Sequence, residues 1–224
     1  LFETQLEDIK VSGGKINKVI TSKGEIEANH FIVATGHSAT ETYRMLIEKG
    51  VPFQTKNFAI GMRAEHPQDI INRAQWGVPK LKGVKAAEYR LTGSDEQKKP
   101  VYSFCMCPGG IVVPATAYAD SNIVNGMSNF QRNGQFANAA IVAGVHPSEL
   151  IGHEASPIEA LDYLEKLEHG FYAYTNNYNA PAVRISDFMN GNTSKSIPES
   201  SYPFELLAAD IHQLLPDRVI RTMT

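Results

Sequence analysis

The sequence predicts an α+β fold in which an antiparallel, β-rich region is flanked by helices and preceded by a β-meander. Most apolar residues fall in short alternating or β-branched runs separated by Gly, Asn and Asp, as is typical of antiparallel strands. Helical spacing is sustained in only two longer stretches, around residues 39–49 and 156–174. Each of these opens on a Ser-x-x-Glu capping box, which marks a helix start.

The chain begins with a predicted β-meander. Strands are expected around residues 6–11 and 16–21, because Gly13-Gly14 between them favours a tight turn. A second turn at Lys23-Gly24 leads through a short polar strand into residues 31–36, Phe-Ile-Val-Ala-Thr-Gly. We expect residues 31–36 to form a buried strand that stops at a glycine turn.

A helix and an extended segment follow the meander. Ser38 and Glu41 are placed to cap a helix over residues 39–49, which Gly50 closes. The next segment is expected to be extended, with a strand over residues 58–65. Pro67 then suits the first position of a short helix that ends at Trp76.

The middle of the chain is predicted to be mostly antiparallel sheet, and the end helical. Ser156 and Glu159 form the second capping box, with Pro157 at the first helical position. This helix is expected to reach about Tyr174, and short helices joined by Asn, Ser and Pro loops come after it. The strands predicted before it lie around residues 86–91, 101–106, 111–113, 122–127 and 139–145.

The patterns divide the chain into three regions. Residues 1–38 form the meander and strand, residues 39–155 the β-rich domain, and residues 156–224 a helical segment. The alternation starts immediately at Leu1, which is not a methionine. We therefore expect the chain to be an internal piece of a longer protein.

Composition excludes several partners. The chain has 224 residues, of which 42% are hydrophobic, and a net charge of -3 with scattered Lys and Arg. These values give no general attraction to nucleic acid or to an anionic membrane, and no run of eighteen apolar residues is present. Cys105 and Cys107 lack a second pair that would complete a zinc site, so no metal is predicted. Two unbridged cysteines fit a reducing, cytoplasmic location.

Several motifs, taken in their order along the chain, resemble those of a known family. The most specific is Cys105-Met106-Cys107-Pro108-Gly109-Gly110, and the least specific is Ala34-Thr35-Gly36. Together they resemble uncharacterised bacterial FAD-dependent, often NAD-utilising, dehydrogenases of the glutathione-reductase-like flavoprotein superfamily. The resemblance covers nearly the whole chain, through Phe58 to Pro67, Val124 to Ser128, Asn138 to Ala140, Ala180 to Arg184 and Asp187-Phe188.

The resemblance implies a flavoprotein whose parts are split along the chain. The meander would belong to an incomplete FAD-binding domain and the β-rich region to an inserted substrate domain. No Gly-x-Gly-x-x-Gly turn, the usual pyrophosphate site, occurs in the 224 residues. We therefore expect FAD in the parent protein but not on these residues alone. Hydride transfer through FAD, use of NAD(P), a small-molecule substrate and a dimer through the exposed meander are the further expectations.

The resemblance also indicates which residues border the cofactor and the substrate. For substrate chemistry the candidates are Arg63, Cys105, Cys107 and Asn138, with Arg63 either holding a substrate carboxylate or pairing with Glu65. The two thiols are either half-buried strand residues or groups beside the flavin; strand alternation predicts one buried and one accessible. The candidate cofactor-binding residues are Ala34, Thr35, Gly36, His37, Ser38, Gly109 and Gly110.

Two other functions remain open from the sequence. The chain could be a non-enzymatic, β-rich binding or assembly module whose motifs only pack a core. A thiol-redox protein using Cys105 and Cys107 is the third hypothesis, and strand alternation disfavours their pairing. Asn125, Arg132 and Asn138 form a polar set near the Asn133-Gly134 turn, which either shapes that turn or lines a site.

Overall fold

The computed structural model describes residues 1–224, which form two compact units. The first unit comprises Leu1–Thr55 and Ala155–Asp162, and the second comprises Lys56–Glu154 and Tyr163–Thr224. Helices are combined with mainly antiparallel sheets, which confirms the predicted α+β class.

The first unit contains the predicted β-meander. Strands β1 (Leu6–Ser12), β2 (Lys15–Thr21) and β3 (Gly24–Glu27) form an antiparallel sheet in that order. Ile9 is its buried side chain, at 2% exposure. The prediction of a meander with turns at the two glycine positions is confirmed.

The predicted buried strand over residues 31–36 is wrong for this structure. Strand β3 ends at Glu27, the following residues have no strand pairing, and Ile32 is 93% exposed. A strand buried on both faces needs hydrogen-bonded neighbours, and the three meander strands pair only with one another. Apolar sequence alone therefore did not make residues 31–36 a strand.

Helix α1 (Thr40–Glu48) lies within one residue of the predicted bounds at each end. Leu46 is its buried residue, on the apolar face that Tyr43 and Ile47 share by helical spacing. At the end of the helix, Gly50 has a φ of 80° and donates its N–H to the Ile47 carbonyl. The helix thus stops at the predicted glycine.

The second unit is built around a four-stranded antiparallel sheet. Its order is β4 (Phe58–Pro67), β9 (Phe136–Val145), β6 (Pro100–Cys107) and β5 (Thr92–Ser94). Strand β9 lies between β4 and β6 and contains several alanines with no exposed surface. These alanines, at positions 137, 139 and 143, share one face of the sheet, where their small side chains let neighbouring elements pack closely.

The strand predicted around residues 86–91 is not formed. Two side-chain amides bind the backbone there instead: Gln68 donates to the Ala87 carbonyl and Asn72 accepts from the Ala87 N–H, each at 2.9 Å. Both amides come from helix α2 (Gln68–Trp76), which the sequence did predict. Because these amides form hydrogen bonds with both the N–H and the carbonyl of Ala87, this residue needs no neighbouring strand to pair its backbone.

The two faces of the large sheet have different roles. One face carries the main apolar core, where Ile60, Ala143 and Val145 pack against the helical end of the chain. The other face carries alternate residues of β4 and β9, beginning with Arg63, Glu65 and Asn138. A hairpin of β7 (Gly110–Pro114) and β8 (Val124–Ser128) packs over this second face.

The remaining elements are short except for one helix. Helix α4 (Pro157–Thr175) begins with the predicted capping box, in which the Ser156 N–H donates to the Glu159 carboxylate at 2.9 Å. No helix has both the length and the apolar character needed to cross a membrane. The others are α3 (Pro147–Ile151), β10 (Ala180–Ala182), α5 (Ile185–Met189), β11 (Leu206–Ala208), a 3-10 turn (Ile211–Gln213) and α6 (Asp217–Met223).

An ion-pair network fixes α6 to the sheet. Arg218 lies 3.1 Å from the Asp95 carboxylate and 3.2 Å from that of Glu149, with only 12% of the Arg218 side chain exposed. The Lys99 N–H, together with Arg218, holds the pKa of Asp95 below its ordinary value of 3.8. This contribution to stability is therefore complete above about pH 4 and disappears as Asp95 becomes protonated in more acidic solution.

We expect Arg218→Met to lower the melting temperature at neutral pH, because it leaves two carboxylates without their shared cation. The difference from the original protein should shrink below about pH 4, where Asp95 is protonated in the unfolded chain. Thermal unfolding monitored by circular dichroism across this pH range checks the prediction. Arg221→Met, an exposed position on the same helix, is the control and should change little. Equal losses in the two variants would contradict a specific role for the network.

Candidate functional site

The second face of the large sheet brings together the residues predicted to border a substrate. Asn138 of β9 lies directly opposite Glu65 of β4 on one side and Cys107 of β6 on the other. Arg63 is two residues from Glu65, so its side chain leaves β4 on the same face. The register of three neighbouring strands therefore places residues 63, 107 and 138 side by side.

The Arg63 guanidinium is the centre of this group. Its Nη1 donates to Asn138 Oδ1 at 2.6 Å and to the Cys105 carbonyl at 3.2 Å, while Nη2 donates to Asn125 Oδ1 at 3.0 Å. The Cys107 sulfur lies 4.0 Å from Nη1. We call Arg63, Cys105, Cys107, Asn125 and Asn138 the Arg63 cluster.

Arg63 has no carboxylate partner. All of its protein acceptors are neutral, and neither Nε–H nor one of the N–H bonds on Nη2 has an acceptor. Glu65 does not form the pair with Arg63 that the sequence left open, because its carboxylate accepts the N–H and hydroxyl of Ser201. A half-buried guanidinium with free donors and no counter-ion favours the binding of an anion.

Asn138 contacts the guanidinium from the buried side of the cluster. Asn138 is fully buried, and its Oδ1 accepts a hydrogen bond from Arg63. Its Nδ2 has no hydrogen-bond acceptor in the protein. Leaving a buried donor unpaired costs about 1–3 kcal/mol. Native structures retain few such groups, and each calls for a physical explanation.

The two cysteines lie in an irregular part of β6. The pairing register between β6 and β9 shifts between Phe104 and Cys107, and Cys105 has a φ of 49°, rare for a residue with a side chain. Cys105 is exposed and Cys107 is buried, and neither forms a disulfide, as the sequence predicted. Strand alternation was the wrong reason, because residues two apart in a regular strand lie on one face. The bulge is what gives Cys105 and Cys107 different exposures.

Burial determines the protonation of Cys107. It raises the pKa of the Cys107 thiol above its ordinary value, and the nearby Arg63 charge only partly offsets this effect. Cys107 is therefore a neutral thiol at neutral pH. As a neutral group it contributes packing and a weak contact to the guanidinium rather than a nucleophilic thiolate.

We expect only Cys105 to react with a thiol reagent in the folded protein. Cys107 should react after denaturation, since it is buried and its thiol is protonated. Counting modified thiols by mass spectrometry before and after adding urea checks this. In Cys105→Ser the folded protein should show no fast reaction, and fast modification at Cys107 would contradict the structure.

The Pro-Gly-Gly turn after Cys107 is buried. Gly109 has a φ of 53°, and its N–H donates to Gln68 Oε1 at 2.6 Å. A methyl group at Gly110 would approach the Met127 carbonyl to 2.5 Å, so β7 and β8 meet closely there. The predicted cofactor role of Gly109 and Gly110 stays a prediction, and the Gly109 N–H is used within the protein.

The other predicted cofactor residues lie in the first unit. Residues 34–37 are exposed and Ser38 is half-buried at the start of α1. Gly36 has a φ of 79°, which provides the predicted turn. Their contact with a flavin stays a prediction.

Most of the Arg63 cluster was predicted from the sequence, but the glycine that lies over it was not. Gly126 of β8 lies directly on the Arg63–Asn138 hydrogen bond, where any side chain would overlap it. A glycine inside a strand pattern is a known signal of close backbone approach, and it could have identified this position. Arg132, considered together with Asn125 and Asn138, lies instead in an ion pair with Glu88 at 3.1 Å. No three His, Cys, Asp or Glu side chains are grouped to hold a metal ion.

Comparison with known proteins identifies similar sequences. A family model described as "FAD-dependent protein, C-terminal domain-like" matches residues 57–224, three quarters of the chain. A protein of Clostridium beijerinckii, described as uncharacterized, is 37% identical over 230 residues, covering 99% of this chain and 42% of the relative. The chain thus spans less than half of that relative's length.

Proposed function

Since the chain belongs to the family of FAD-dependent proteins that share this C-terminal domain, we propose that it forms the substrate side of a FAD-dependent oxidoreductase. The reaction is hydride transfer through FAD, with NAD(P) as the second cofactor, as in the glutathione-reductase-like flavoproteins that the motifs resemble. The observation that carries the proposal is Arg63, a cation with free donors and only neutral protein partners.

The exposed residues beside Arg63 fit a flavin and a substrate together. Cys105 is exposed, and Phe104, which shares a sheet face with Arg63, is 62% exposed, so apolar surface adjoins the cation. Planar aromatic ligands are recognised by this combination of apolar surface with few polar groups. FAD, when bound, supplies the acceptor or donor of two electrons and a proton.

The chain's own residues have separable tasks in this proposal. Arg63 binds and orients an anionic group of the substrate through Nε and Nη2. Asn138 and the Cys105 carbonyl hold the guanidinium in place, because both accept from Nη1. The neutral thiol of Cys107 excludes water from the buried side of the cluster without adding a competing charge. Asn138 and Cys107 are thus positioning residues.

The alternative, a non-enzymatic module, predicts a different polar arrangement. A core that served packing alone would gain nothing from an unpaired Asn138 amide beside an unneutralised guanidinium, since both lower stability. The exposed Phe104 and Met127 are compatible with either function. The cluster therefore favours the enzyme.

The test is reduction of the flavin in the holoprotein. The full-length protein, purified with FAD, is mixed without oxygen with NADH or NADPH, and the absorbance of oxidised flavin is followed. We expect rapid bleaching with one nicotinamide and recovery on adding an electron-accepting substrate. A holoprotein with full FAD content that neither nicotinamide reduces, and that no carboxylate-containing donor reduces, would support the binding module instead.

A further inference from the structure

Resting on the proposed function, we infer that the Arg63 site takes a monocarboxylate with an aromatic or similarly bulky apolar body. The carboxylate binds the edge of Arg63 that carries Nε and Nη2. The body packs against Phe104. This assignment names the class of substrate, which the family match does not give.

The free edge of Arg63 defines the charged end of the ligand. Nη1 is occupied by Asn138 and the Cys105 carbonyl, whereas Nε–H and one Nη2–H are free. Nε and Nη2 lie on one planar edge of the guanidinium, which matches the two oxygens of a carboxylate. Two parallel hydrogen bonds would also fix the direction in which the rest of the ligand extends.

Phe104 defines the apolar end. Arg63, Ala140 and Phe104 are directly aligned across three neighbouring strands, so their side chains leave the sheet on one face. Ala140 has only a methyl group and is partly exposed, which leaves the face open between the other two. At about 4.8 Å per strand, Phe104 and Arg63 are separated by roughly 10 Å at the backbone, enough for one ring.

Phe104 is a large apolar side chain that is 62% exposed and shares a sheet face with one uncompensated cation. This combination is complementary to an amphiphilic anion.

Glu65 limits the ligand to a single charge. It lies on the same face of β4 as Arg63, two residues away, and its carboxylate is held by Ser201. No lysine, arginine or histidine forms an ion pair with Glu65, so its negative charge repels a second carboxylate near the site. A dicarboxylate therefore gains less than a monocarboxylate with an apolar body.

The experiment measures binding to the FAD-loaded full-length protein by titration calorimetry, with four probes. Benzoate is compared with acetate, which lacks the apolar body, with succinate, which adds a charge, and with benzyl alcohol, which lacks the charge. We expect benzoate to bind at least about tenfold more tightly than acetate, from burial of the ring. Succinate should bind no better than acetate, and benzyl alcohol should show no measurable binding.

A variant at Phe104 separates the apolar end of the ligand from its charged end. Phe104→Ser should lower the benzoate-to-acetate affinity ratio by about threefold or more while leaving acetate binding unchanged. Ile70→Ser, which also removes an exposed apolar side chain but lies on α2, is the matched control and should not alter the ratio. Phe104 is mostly exposed, so its variant is expected to fold.

The outcomes distinguish this inference from the proposed function. Equal affinity for acetate and benzoate, or a ratio unaffected by Phe104→Ser, overturns the inference while leaving an anion site at Arg63. Benzoate binding that survives Arg63→Met overturns the inference and the proposed function together. If Arg63→Met loses FAD, and benzoate binding is lost only because FAD is absent, the guanidinium is assigned to the flavin. This outcome also overturns the inference.

Discussion

Arg63→Met is expected to lower kcat/KM by about two to three orders of magnitude while leaving the FAD content unchanged. Methionine keeps much of the arginine's apolar length but removes the cation and all five donors. A substrate anion then loses its charge-assisted partner, and Asn138 Oδ1 loses the donor that holds it. Steady-state kinetics and the flavin absorbance of the purified variant measure the two effects separately.

Two controls sharpen this prediction. Arg90→Met removes an exposed arginine that makes no hydrogen bond or ion pair in the structure, and it should retain normal kinetics. Arg63→Lys keeps the charge but not the planar pair of donors, so its loss should be intermediate and appear mainly in KM. Normal kcat/KM in Arg63→Met with intact FAD would contradict a substrate role for the guanidinium.

Gly126→Ala is expected to disrupt the same site without removing any of its functional groups. The added methyl would overlap Asn138 Oδ1 and Arg63 Nη1, and Asn138 is fully buried and cannot move aside. Arg63 must then shift, which should reduce substrate affinity at least about tenfold and cost about 1–3 kcal/mol of stability. Urea unfolding and substrate titration measure the two losses.

A matched glycine substitution and a double variant test the cause. Gly170→Ala places a methyl in the exposed interior of α4 with nothing within 4 Å, and it should raise stability by about 0.5–1 kcal/mol. In an Arg63→Met background, Gly126→Ala should cost less than it does alone, because one of the two overlapping groups is gone. Strictly additive costs would show that the methyl acts elsewhere.

The sequence predicted the strands that carry the site because their signals are local. Alternation and glycine turns placed β4, β6, β7, β8 and β9 close to their observed bounds. Arg63 and Asn138 were identified through motif resemblance, yet their contact depends on the register of β4 against β9. That register is set by packing between residues more than seventy positions apart, which no local pattern encodes.

The two wrong strand predictions also come from tertiary contacts that local sequence does not encode. Residues 31–36 have the composition of a buried strand but no neighbour to pair with in this structure, and residues 86–91 are satisfied by the amides of Gln68 and Asn72. In both segments tertiary partners, or their lack, outweighed strand propensity. The bulge at Cys105 was equally invisible, because its positive φ arises from how β6 meets β9.

The bond between Ser201 and Glu65 has a consequence for the order in which the protein folds. It joins residues 136 positions apart, and the Ser201 hydroxyl also accepts from the Val112 N–H at 2.8 Å. Contacts of such long sequence separation form late, because closing the intervening loop costs entropy before any contact repays it. The Arg63 cluster, whose strand β4 is held through Glu65, should therefore reach its final arrangement only after the C-terminal segment has been synthesised and docked. Until then, the Arg63 guanidinium of a nascent chain would be accessible to anions in the surrounding solution.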